Sequence, residues 1–219
     1  MFRIMNMRRA KILTIIGITL TVLGAYGWAS AILSTMGKAF WISSTTEVPL
    51  GELTGIAVDN EGRIYCGAAS YSRIQVYSRG GQFLRGWHYS GTVEYRFRIN
   101  DKDQLEVADA HRTRRGDLPD ILTVFDANGK LIASREDDGC YDRFGSEADL
   151  RYYHPSGSIY LIRGKHILPR IYRITTLGKS ELIVQTAWCY WPIMAPLPAW
   201  FMFIIGLLFL RFASKKTLG

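Results

Sequence analysis

Apolar and polar residues alternate in short runs through the middle of the chain, while both ends lack alternation. Between Gly55 and Gln185 there are twelve runs of five or six residues with a period near two, the period of a half-buried strand. They fall into three groups of four. The first is Gly55–Asp59, Arg63–Ala68, Arg73–Ser78 and Gln82–Trp87. The second is Tyr95–Asn100, Leu105–Ala110, Ile121–Asp126 and Lys130–Ser134, and the third is Leu150–His154, Ile159–Arg163, Arg170–Thr175 and Glu181–Gln185. Residues suited to tight turns separate them: Asn60-Glu61-Gly62, Arg79-Gly80-Gly81, Asn128-Gly129 and Ser156-Gly157. Gly81, Gly129 and Gly178 recur 48 and 49 residues apart. A repeat of that period predicts one supersecondary unit stacked on its neighbours. No ten-residue stretch of the middle has a helical period, so the expected class is all-β.

The ends read differently. Ile12 to Leu33 is free of charge over 22 residues and Pro192 to Leu210 over 19, each long enough as a helix to cross the hydrocarbon of a bilayer. Pro192, Pro196 and Pro198 crowd the start of the second run, so its regular helix is expected to begin near Pro198 or to kink before it. Trp28, Trp188, Trp191 and Trp200 fall where an interfacial aromatic belt lies. Gly27 and Ala31 form a small-x-x-x-small pair suited to close helix packing. Ala29-Ser30-Ala31 also satisfies a signal-cleavage rule, leaving open whether the first helix is retained.

Charge sharpens this picture. The formal net charge is +8, yet Arg3, Arg8, Arg9 and Lys11 precede the first apolar run, and Arg211, Lys215 and Lys216 follow the second. All 19 acidic residues lie between them, beside the remaining twenty cations, so the middle is nearly neutral. Positive charge confined to the flanks of apolar helices is a topology signal rather than a nucleic-acid footprint. The expected organisation is a basic cytoplasmic tail (1–11), a transmembrane helix (12–34), an extracytoplasmic domain (47–187), a second transmembrane helix (190–211) and a cytoplasmic tail (212–219). With no N-x-S/T sequon, the expected location is a bacterial plasma membrane.

The phrase GIAVDNEGRIYCGAASYSRIQVYSRGGQFLRGW within residues 54–87 resembles an NHL-type repeat, one blade of a β-propeller. The run LTVFDANGKL from Leu122 to Leu131 resembles the last half of a second copy, and the third copy is degenerate. The resemblance implies three four-stranded propeller-type blades between two transmembrane α-helices. Propellers usually have four to eight blades, so three form an open arc. A homodimer closing a six-blade ring is one expected resolution, and capping by the membrane or another protein is the other. The implied role is a binding or scaffolding module for a protein or small ligand at the lipid bilayer. The alternative is a membrane-tethered hydrolase or lactonase using a divalent metal.

Few residues announce chemistry. Asp59 and Asp101 end first strands, and His154 ends another, so all three are candidates at a channel mouth. The same Asp positions, just before a turn, also suit acceptors of backbone hydrogen bonds. Of the other histidines, His88, His111 and His166, none is placed for an axial metal site, so neither metal nor cofactor is expected. Cys66, Cys140 and Cys189 lack C-x-x-C spacing; a Cys66–Cys140 disulfide and a Cys189 link across a dimer both stay open. Two polar insertions are the expected contact loops. One is His111–Asp120, with Arg112, Arg114, Arg115 and Asp117; the other is Glu136–Asp149, with Asp137, Asp138 and Tyr141.

Overall fold

The computed structural model describes residues 2–39, 42–91, 95–110, 112–113, 116–117, 119–144, 151–164, 169–185 and 195–217. The chain divides into two compact units: Met1–Leu33 with Ala187–Gly219, and Ser34–Thr186.

The first unit contains two apolar helices, α1 (Phe2–Thr35) and α3 (Pro196–Thr217). Both are long and apolar enough to cross a membrane, over Arg8–Thr35 and Pro196–Ser214. Pro196 and Pro198 sit in the first turn of α3, where a missing N–H costs nothing. The helices run antiparallel: Gly24 faces Ala199 and Phe203, while Gly17 faces Gly206 and Leu210. A Cβ on Gly24 or Gly206 would collide with backbone of the other helix. Close approach therefore rests on Gly17, Gly24 and Gly206; of these, Gly24 lies one turn before the Gly27/Ala31 pair that the sequence pointed to.

The second unit has all twelve expected strands, grouped as expected into three antiparallel four-stranded sheets. Blade 1 contains β1 (Leu53–Val58), β2 (Ile64–Ala68), β3 (Arg73–Tyr77) and β4 (Phe83–His88). Blade 2 contains β5 (Tyr95–Ile99), β6 (Leu105–Asp109), β9 (Ile121–Phe125) and β10 (Leu131–Glu136). Blade 3 contains β11 (Arg151–Tyr153), β12 (Ile159–Arg163), β13 (Arg170–Ile174) and β14 (Ser180–Gln185). The fold is thus three propeller-type blades with an apolar helix at each end of the chain.

Spatial order differs from chain order. Alternate residues of blade 1 enter two separate cores. Ile56, Val58, Ile64, Cys66 and Tyr77 pack with Tyr160, Ile162, Ile171 and Val184 of blade 3. Ala57, Tyr65, Ile74 and Val76 pack with Tyr95, Phe97, Leu105, Val107 and Phe125 of blade 2. Blade 1 is therefore the middle layer, where a simple arc in chain order would put blade 2. β2 and β3 are buried at every residue, as a sheet covered on both faces requires.

A strap before β1 crosses blade 1. The Gln75 amide is fully buried; it accepts from Val48 N at 2.8 Å and donates to Val48 O at 2.9 Å. Arg73 Nη2 donates to Ser43 O at 2.6 Å and Thr46 O at 3.0 Å. Burial lowers the Arg73 guanidinium to about 10, which leaves it charged at neutral pH.

Glu136–Asp149 is not simply a polar loop. Within it the short helix α2 (Cys140–Arg143) buries Cys140 and Tyr141 against Ala108, Ala110 and Leu122 of blade 2. Arg96 lies 3.8 Å from the Tyr141 ring centroid and Arg98 lies 4.4 Å from that of Phe144. This segment covers the blade 2 face turned away from blade 1, the service that capping elements perform in repeat folds. Tyr141 is thus a core residue, because its ring is the surface on which Arg96 stacks. The Tyr141→Ala substitution is expected to cost about 3 kcal/mol. Its coupling to Arg96→Ala in a double-mutant cycle should be about 1 kcal/mol. Urea titration of the solubilised chain, followed by tryptophan emission, reads both numbers.

Candidate functional site

Six short connections have one design. Each holds five residues: 59–63, 78–82, 100–104, 126–130, 154–158 and 175–179. In each, the first residue donates its N–H to the carbonyl of the fifth and accepts from the N–H of the fourth. The fourth residue has positive φ every time: Gly62, Gly81, Asp103, Gly129, Gly157 and Gly178. Asp103, at φ 55°, does what glycine does elsewhere. These are three-to-five-residue hairpin turns carrying a bulge, which suit the twist of paired strands.

In a four-stranded meander these turns all fall at one end. The strand ends that lead into the longer connections lie at the other: those on either side of 69–72, 89–94, 110–120, 137–150 and 164–169. Each blade therefore has a turn end and a loop end.

At the turn end the inner hairpins of all three blades touch. Asn60 Nδ2 donates to Asp103 Oδ1 at 2.7 Å, joining blades 1 and 2. His154 Nε2 lies 3.0 Å from Asp59 O, joining blades 3 and 1, while its Nδ1 accepts from Ser156 N at 3.1 Å. The Asp59 carboxylate is buried and fully engaged: Arg63 N at 2.8 Å, Arg63 Nε at 2.6 Å and Tyr65 OH at 3.0 Å all donate to it. Burial, reinforced by the Asp59 charge, raises the Tyr65 phenol. The structure brings Asp59 and His154 together but leaves Asp101 out. Asn100, not Asp101, is the counterpart of Asp59; its Oδ1 accepts from Lys102 N and Gln104 N, both at 3.0 Å. Asp101 is exposed one position further along the turn. No three His, Cys, Asp or Glu side chains gather at metal distance among the described residues.

The remaining candidates are scattered. Arg112 and Asp117 lie on a two-stranded hairpin, β7 (Arg112–Thr113) with β8 (Gly116–Asp117), where a plain loop was expected. His111, Arg114 and Arg115 lie outside the described residues, as do His166, Trp188, Cys189 and Trp191. Asp137 bonds Arg143, and Asp138 O accepts from Arg143 Nη1 at 2.9 Å. Trp28 and Trp200 are exposed at the same end of the helix pair. Cys66 and Cys140 are both free and buried in separate cores; burial and the nearby Asp120 and Asp137 push the Cys140 thiol up to about 11.

The sequence did not point to a cleft in this unit. This cleft has a volume of about 380 Å³ and runs from the 88–91 segment along β9 and β10. Tyr89, Asp109, Thr123, Phe125 and Ser134 supply its mixed lining. Tyr89 OH lies 3.4 Å from Asp109 Oδ2. Gly91 packs on that carboxylate and on the Tyr89 ring, leaving no space for a Cβ. His88, also at the cleft, is lowered by burial and by the Arg73 charge. The signal available in the sequence was the Tyr89-Ser90-Gly91 run beside Asp109, which alternation alone does not mark.

No protein-family model and no curated protein matches the chain. Among solved structures, a protein of unknown function from Bacteroides caccae matches at 15% identity and TM-score 0.30, covering 62% of this chain and 46% of its own. A catalytically inactive virginiamycin B lyase from Staphylococcus aureus, solved with quinupristin, matches at 12% identity and TM-score 0.31, covering 60% and 41%. A streptogramin B lyase matches at 10% identity and TM-score 0.26, covering 63% and 56%. The chain spans about half the length of these structures. At such scores the likeness transfers no residue role and no activity.

The roles assigned to the turn-end residues differ measurably. Asp59→Ala strands Arg63 and Tyr65 and should cost about 3 kcal/mol. Asp101→Ala should stay within about 0.5 kcal/mol of the parent. Denaturant midpoints of the two variants, measured side by side, check the contrast.

Proposed function

We propose that this chain is a membrane-anchored binding module that offers the loop end of its three blades to a protein or small ligand outside the cytoplasm. The observation that carries this reading is the division of labour between the two ends. Identical five-residue turns knit the blades together at one end. The strand ends that lead into the longer connections lie at the other, where the cleft beside Tyr89 and Asp109 begins. Rigid repeat scaffolds commonly recognise partners through such collected insertions. Two apolar helices with basic flanks support the anchoring, and the NHL-like repeat of residues 54–87 agrees with a binding platform.

A homodimer fits within the same reading, with one amendment. Blade 2 has α2 over its outward face, so blade 3 is the end sheet left for a second copy. Tyr153 and Leu182, on the side of blade 3 away from blade 1, are 66% and 43% exposed.

Photo-crosslinking in intact cells tests the proposal. A crosslinking residue at Ser90 or Asp138 (loop end) should give discrete adducts, and one at Arg79 or Lys179 (turn end) should give none. Adducts from the turn end alone, or from neither end, would refute the reading.

A further inference from the structure

The helix pair has a second feature beyond anchoring. Where Gly17, Gly24 and Gly206 sit, α1 and α3 are pressed together. Beyond Gly17, towards the N-terminus of α1, a groove of about 460 Å³ runs along the pair. Ala10, Thr14, Ile15, Leu210 and Ala213 form its walls and Lys11 stands among them. The two hydroxyls there are turned inward on their own helices. Thr14 Oγ1 donates to Ala10 O and Ser214 Oγ to Arg211 O, both at 2.9 Å. The wall is therefore apolar in effect, although it includes a threonine and a serine.

The rim is the opposite. Lys11 is exposed and lines the groove. Arg8 is three residues from Lys11 and Arg211 three from Ser214, spacings that place each beside a lining residue on a helix surface. Arg8, Arg9 and Arg211 are all exposed. No Asp or Glu occurs before Glu47 or after Glu181, so no acidic side chain of this unit offsets these charges. An apolar slot with an uncompensated cationic rim matches an amphiphile with a greasy tail and an anionic head.

We infer that the groove between α1 and α3 at their basic end is a binding site for an anionic phospholipid, with an acyl chain between Thr14 and Leu210 and the phosphate at Lys11, Arg8 and Arg211. The inference rests on the anchoring part of the proposed function and adds a specific lipid site to it. It places the head group on the cytoplasmic side, where the basic tails are expected. The long Lys11 stem can lie along the groove while its ammonium meets the phosphate.

The test uses the full chain in mixed micelles with equimolar phosphatidylglycerol and phosphatidylcholine, read by native mass spectrometry. One phosphatidylglycerol should be retained per chain, at least about tenfold over phosphatidylcholine. Lys11→Gln should lower that preference about fivefold, and Arg8→Gln in addition about fivefold more. Both positions are exposed, so the helix pair should persist in these variants. Ala213→Leu, which fills the groove, should abolish retention with the charges intact. Equal retention of the two lipids, an unchanged preference in the Lys11→Gln and Arg8→Gln double variant, or displacement by millimolar inorganic phosphate would overturn the inference. Failure of the chain to partition into membranes at all would instead overturn the anchoring reading, which keeps the two outcomes distinct.

Discussion

Burial of blade 1 on both of its faces is the constraint on which the rest of this domain depends. A single sheet has one hydrophobic face to cover and one to show water; blade 1 has two to cover, and its neighbours are the cover. Ile64 and Cys66 on one side and Tyr65 on the other are fully buried, so every residue of β2 is committed to a core. This explains why Gln75 and Arg73, polar residues inside a sandwich, are held by the carbonyls and amide of the preceding strap. A buried amide or guanidinium without partners would cost several kcal/mol, and the strap supplies those partners. The strap, the blade order and the position of α2 are all consequences of making blade 1 the middle layer.

The outer sheets show what the middle one avoids. On blade 2 the outward face is polar at Arg96 and Arg98, and α2 lays Tyr141 and Phe144 over their guanidinium planes. Cation–π stacking lets a charged face be covered without burying bare charge. The outermost strand β10 is exposed along its whole length. Arg135 and Glu136 leave charge on that edge, which discourages further strand addition. Blade 3 has no such cap among the described residues, and it meets blade 1 through Tyr160, Ile162, Ile171 and Val184.

The legibility of the sequence follows the same gradient. Residues 54–87 show the repeated phrase most fully, and that blade is packed on both faces, so each of its apolar positions is constrained. The second and third copies each pack on blade 1 through one face only, and the phrase fades in them. Alternation located all twelve strands, since period two survives one-sided burial. Alternation could not reveal the spatial order, because which face meets which neighbour is set by contacts between Tyr77 and blade 3 and between Val76 and blade 2. It also misjudged Tyr141: a tyrosine amid Glu136, Asp137, Asp138 and Asp142 reads as a polar loop until Arg96, 45 residues earlier, is known to reach it. Asp101 is not the counterpart of Asp59 for a local reason. The turns are aligned by the residue that donates to the fifth position, and in blade 2 that residue is Asn100.

The turn-end hydrogen bonds also bear on how the candidate site keeps its shape. His154 and Asn60 tie three hairpins together at the inner strands, and these are the strands whose far ends lead into the long connections. A rigid end opposite a variable one is the usual condition for a binding surface, because the cost of ordering is met by the scaffold before any partner arrives. The cleft beside Asp109 is built on that principle. Its floor is β9, paired on both sides by β6 and β10, and its rim is the 88–91 segment, pinned by the hydrogen bond from Tyr89 N to Ser72 O at 2.8 Å. The side chains that line it, Thr123, Phe125 and Ser134 among them, are thus held in place by the sheet.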